Sequence, residues 1–135
     1  MRSLWLALSM LLSVYAAHAD GGRLATDDVI RTEMTAIRDL TLGVRTEILQ
    51  RRLLPADARA FHEHVKASVG RLKAETQMAG EARDEIEKLA GYIEQGASEV
   101  AGDDPALAID GILIIDDSLS IYARRFDHPG WRPLP

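Results

Sequence analysis

Apolar residues in this chain recur at alternating steps of four and three. Ile30, Met34, Ile37, Thr41, Val44 and Ile48 form one such run, and Ala108, Ile112, Ile115, Leu119, Tyr122 and Phe126 form another. On an α-helix this spacing places every member on one narrow stripe, the seam along which helices pack in left-handed bundles. Between these runs, Ala58, Phe61, Val65, Val69 and Leu72, then Ala82, Ile86, Leu89, Ile93 and Val100, keep a helical period. No segment alternates apolar and polar residues as a half-buried strand would. The pattern predicts an all-α chain, an up-down-up-down antiparallel four-helix bundle. Its helices are expected over about 26–52, 55–79, 81–101 and 104–126, with a short tail at 127–135.

Start and stop residues punctuate these runs. Thr26 is the expected N-cap of the first helix, with Asp27 and Asp28 favourably placed in its first turn. Pro55 suits the first position of the second helix, and Asp103 or Asp104 followed by Pro105 suits the start of the fourth. Gly80, Gly102 and His128-Pro129-Gly130 are stops. Gly91 and Gly96 fall inside the third helix, where each weakens it by ~1 kcal/mol relative to alanine. The compensation expected is close approach of a neighbouring helix. Short connections make sequential helices antiparallel neighbours.

The N-terminus reads as a Sec-type export signal over residues 1–19. Arg2 supplies a positive start, Leu4 to Ala16 an apolar run too short to span a bilayer, and Ala17-His18-Ala19 small residues at the two cleavage-determining positions. The expected mature chain starts at Asp20, in the periplasm or secreted. Loss of Arg2 makes it one unit more negative than the full chain's −5. That charge argues against nucleic acid, whose phosphates need a basic face. The later apolar stretch Ala106 to Ile115 is interrupted by Asp110 and too short to insert in a membrane after cleavage. The chain has no cysteine, which excludes disulfides, thiolate metal sites and covalent haem attachment.

Several residues stand out as candidate sites. Leu107, Ile114 and Ile121 form a second apolar row on the fourth helix at seven-residue intervals, with Leu113 beside it. The row is the expected seam of a homodimer or of an envelope protein partner. Arg31, Arg38, Arg45 and Arg52 repeat at heptad intervals on the first helix, flanking its seam. Arginines there lay their stems over the core edge and pair with acidic groups opposite; an anion-binding stripe is the sharper alternative. His62 and His64 are two residues apart and diverge on a helix, so a divalent metal would need one of them with Glu63 or another carboxylate across helices.

Met34 lies early in the first helix and His128 just after the fourth, at ends that meet in an antiparallel bundle. In topology the arrangement resembles small periplasmic four-helix b-type cytochromes, which hold haem between a methionine near the start of helix 1 and a histidine near the end of helix 4. The resemblance implies non-covalent haem between Met34 and His128. It covers four-helix topology and two residues, and His128 departs from it by preceding Pro129, beyond the helical register. No histidine lies within helical reach of Ser118 or Ser120, so no nucleophile, base and orienting group can be assembled from the sequence. The function expected is therefore non-catalytic binding or interaction outside the cytoplasm, with a haem or metal carrier as the alternative.

Overall fold

Four α-helices carry these seams. α1 spans Asp28–Leu49, α2 Pro55–Glu75, α3 Gly80–Val100 and α4 Pro105–Arg125. The computed structural model describes residues 22–135, so the export segment expected at 1–19 lies outside the described residues. Among the described residues there is no β-strand, and Leu24 forms an isolated bridge with Phe126. Each helix packs against its neighbour in sequence, and α4 closes back onto α1. Arg71, late in α2, reaches Glu33, early in α1; Arg125, at the end of α4, reaches Glu81 and Glu85 at the start of α3. Neighbouring helices therefore run antiparallel.

The seam residues fill the core. Ile30, Met34 and Ile37 of α1, Val65 and Leu72 of α2, Ile86 and Ile93 of α3, and Ile112, Ile115 and Tyr122 of α4 are fully buried. Burying an aliphatic side chain of this size stabilises by roughly 1.5–3 kcal/mol. Thr41 sits in the same stripe at no polar cost, because its Oγ1 donates to the Ile37 carbonyl at 2.8 Å. Glu33 is also buried, and Arg71 holds its carboxylate in a two-pronged pair at 2.8 and 3.2 Å.

The tightest contact is between α3 and α4. A Cβ built on Gly96 would lie 2.5 Å from the Gly111 carbonyl oxygen, and one built on Gly111 would lie 2.4 Å from that of Gly96. The two backbones touch, which is the close approach expected at Gly96. Gly91 differs: it is exposed, with nothing within 4 Å of an added Cβ.

The cap of α1 is Asp27 rather than Thr26. Its Oδ1 accepts from Ile30 N at 2.9 Å, while Oδ2 accepts from Gln77 N at 2.7 Å and from Thr76 Oγ1 at 2.8 Å. One carboxylate thus closes the N-terminus of α1 and ties it to the α2–α3 junction. The same contacts explain why α2 ends at Glu75 and not near 79: Thr76 is drawn into an extended conformation. Thr26 instead donates to the Asp127 carbonyl at 2.7 Å. α4 starts as expected, with Asp104 accepting from Ala106 N at 2.9 Å and Pro105 in its first turn.

At the other end of α1 the chain turns through a Schellman motif. Arg51 N donates to the Ile48 carbonyl at 2.9 Å and Arg52 N to the Glu47 carbonyl at 2.8 Å. Such a turn needs a left-handed residue after the cap, usually glycine. Arg51 fills it at φ 56°, where an L side chain costs on the order of 1 kcal/mol.

α1 and α4 are the least closely packed neighbours, and residues 127–135 fold back along the gap. Trp131 stacks edge-on against Tyr122 with ring centroids 4.9 Å apart. Arg38 donates to the Arg132 carbonyl, and Arg45 donates to Asp116 Oδ2 at 2.8 Å and to the Pro135 carbonyl at 2.9 Å. Two of the four heptad arginines of α1, Arg38 and Arg45, thus hold the tail. Arg31 serves the start of its own helix, at Thr26 and Asp28, and Arg52 pairs with Glu47 at 3.4 Å.

Candidate functional site at the loop end of the bundle

The α1–α2 and α3–α4 turns meet at one end of the bundle. There the end of α1 with Leu53, the first turn of α2, the end of α3 and the start of α4 enclose a cleft of about 230 Å3. Its floor is apolar, from Ile48, Leu53, Ala58, Val100 and Ala108; Arg51, Arg59 and Asp103 supply its charges. Ile48 and Val100 are almost completely buried and belong to the main core, so the floor is continuous with the bundle interior.

Apolar exposure gathers at the same end. Leu54 is 64% exposed, Leu107 48% and Leu49 41%. Single exposed leucines are ordinary; these three lie at the end of the bundle that carries the cleft without lining it. The charges there are uneven in their pairing. Arg52 is tied to Glu47, but among the described residues Arg51, Arg59 and Asp103 make no ion pair.

The expected seam on α4 is divided. Leu107 and Leu113 stand out at 48% and 47% exposure, whereas Ile114 and Ile121 are half-buried and Ile121 packs against the core. The tail lies against α4 where Asp116, Leu119, Ser120 and Ala123 share a small cleft with Trp131, Pro133 and Pro135.

Met34 and His128 are not arranged as a haem pair. Met34 is fully buried in the core. His128 Nδ1 lies 2.7 Å from the Tyr122 hydroxyl, and its ring is flanked by Tyr122 at 5.8 Å and Trp131 at 5.1 Å. Burial, with the charge of Arg31, pushes the imidazole below its ordinary value against the pull of Asp127, and burial pushes the Tyr122 phenol up. At neutral pH the phenol therefore keeps its proton, and the two side chains share a hydrogen bond whose direction is set by the histidine tautomer. Met34 has no exposed surface to offer a haem, so the closed core as it stands does not fit that group.

The histidines of α2 are also separated. His62 is half-buried, while Glu63 and His64 are exposed, and His64 borders an open trough beside Ala36, Leu40 and Ala67. Among the described residues no three histidine, aspartate or glutamate side chains converge in a way that fits a metal ion. The loop-end cleft itself had only a faint trace in sequence: Leu53-Leu54 before Pro55 reads as a helix break, although two leucines in a turn are unusual enough to mark an apolar surface. The described helices include none long and apolar enough to cross a membrane. In comparisons with known proteins, no family model, no curated protein and no solved structure matches the chain.

Proposed function

We propose that this chain is an exported, periplasmic, non-catalytic binding module whose binding surface is the loop end of its helical bundle. The observation that carries the reading is the apolar-floored cleft between the two turns, at the end of the bundle where Leu49, Leu54 and Leu107 are each more than two-fifths exposed. Leaving such side chains in water forgoes roughly 1.5–3 kcal/mol for each that could be fully buried, a gain that a ligand or partner recovers. The export-signal pattern read in the sequence of residues 1–19 supports the compartment, and the lack of an assembled nucleophile and base in the sequence supports a non-catalytic role.

A second reading, homodimerisation through α4, draws on Leu113 and Leu107 with Ile114 between them. Light scattering of wild type and Ile114→Glu tests it: a dimer that becomes a monomer supports the seam, and two monomers overturn it.

The binding-surface reading is tested with Nile red, an uncharged dye that brightens in apolar sites. Wild type should enhance its fluorescence, and Leu54→Gln combined with Leu107→Gln should remove most of the enhancement while leaving the helical circular dichroism intact. An equal response from both proteins overturns the proposal. Periplasmic recovery with an N-terminus at Asp20 is the expected result for export; full-length protein retained in the cytoplasm contradicts it.

A further inference from the structure

We infer that the loop-end cleft binds small amphiphilic monocarboxylates, with the apolar tail on the Ile48–Leu53–Val100 floor and the carboxylate held by Arg51 and Arg59. This inference rests on the loop end being the binding surface. Size sets the first limit. At about 230 Å3 the cleft is smaller than the ~300–1,000 Å3 typical of drug-sized ligands, which suits a medium-length aliphatic chain rather than a fused-ring system.

Charge sets the second limit. α2 and α4 bring helix N-termini to this end while α1 and α3 bring C-termini, so the helix dipoles largely cancel and the side chains decide the sign. Arg51 and Arg59 outnumber Asp103, in a chain whose net charge is −5. A surplus of one positive charge matches a monoanion better than a phosphate dianion. The uncapped start of α2 adds to this: Leu54 supplies no side-chain acceptor to its first turn, whereas Asp104 does so for α4.

Arg51 gives the most specific support. It stands at φ 56° in a turn where glycine is the relaxed choice, it lines the cleft, and among the described residues it has no carboxylate partner.

The test is an amide NMR titration of the exported chain with octanoate. Uncharged 1-octanol, cationic octylammonium and tail-less acetate serve as comparisons. Octanoate should shift the amides of residues 48–54 and 100–104 and bind about tenfold more tightly than each comparison. Arg51→Gly and Arg59→Gln should each weaken octanoate roughly tenfold, the scale of one charge-assisted hydrogen bond, without changing octanol. Arg51→Gly should at the same time raise the melting temperature, which separates lost binding from lost folding. Octanol or acetate binding as tightly as octanoate would refute the amphiphilic-anion assignment; octanol binding at these amides would still support the loop end as a binding surface. If no probe moves these amides, the assignment and the binding-surface reading fail together.

Discussion

Gly111→Ala is expected to destabilise the fold by about 2 kcal/mol, although alanine is the better helix former. The new Cβ would meet the Gly96 carbonyl oxygen at 2.4 Å and the Glu99 Cβ at 2.9 Å. Neither atom can rotate away, because one is backbone and the other is fixed to it. α3 and α4 must then move apart and loosen Ile93, Ala97, Ile112 and Ile115, all fully buried beside the crossing. Overpacking of this kind costs up to about 3 kcal/mol, while the helix-propensity gain returns ~1 kcal/mol. Gly111→Leu should exceed what the fold tolerates, since small domains hold only ~5–15 kcal/mol in total. Gly91→Ala is the control: with nothing within 4 Å of its Cβ, it should stabilise by roughly 0.5–1 kcal/mol. Urea denaturation followed by circular dichroism measures all three. A Gly111→Ala protein as stable as wild type would show that the backbones are not in contact.

The second large effect is expected at Asp27. Alanine there removes the N-cap of α1, worth ~1 kcal/mol, and takes the acceptor from Thr76, whose hydroxyl is nearly buried. A buried donor left without a partner costs a further ~1–3 kcal/mol; Gln77 N is exposed and can turn to water. The sum is about 2–4 kcal/mol, and part of it depends on pH. Burial alone would raise the Asp27 carboxyl, but hydrogen bonds from Ile30, Gln77 and Thr76, with the Arg31 charge, outweigh it and hold the group below its ordinary 3.8. A depressed folded value means that the unfolded chain takes up the proton first. The stabilisation is therefore complete above about pH 5, where both states are ionised, and is lost as pH falls below 3.8 through the folded value. The stability gap between wild type and Asp27→Ala should narrow from pH 6 to pH 2.5. A gap that stays constant would mean that the carboxylate charge plays no part.

These residues also show where sequence is legible. The four-three spacing from Ile30 to Ile48 and from Ala108 to Phe126 is a local, redundant signal, and each stripe forms largely as the period requires. Pro55, Asp104 and Pro105 act through their own backbone geometry and needed no tertiary context. Thr26 and Asp27 are both good caps, and the choice between them falls to Thr76 and Gln77, far along the chain. The same long-range tie ends α2 early. Glu33 is buried because Arg71 happens to face it from another helix, and Arg38 and Arg45 find tail carbonyls that no heptad rule indicates. The cleft is least legible of all, since it exists only where two turns some fifty positions apart are brought side by side. Arg51 carries no local mark of its left-handed backbone; glycine is the residue that would have signalled it.

The glycine crossing has a mechanical corollary. No side chain lies between α3 and α4 where Gly96 meets Gly111, so that pair has no cushion to compress and behaves as a fixed pivot about one turn from the cleft residues Val100 and Ala108. That contact fixes the α3–α4 lip of the cleft, whose opposite lip carries the left-handed turn at Arg51.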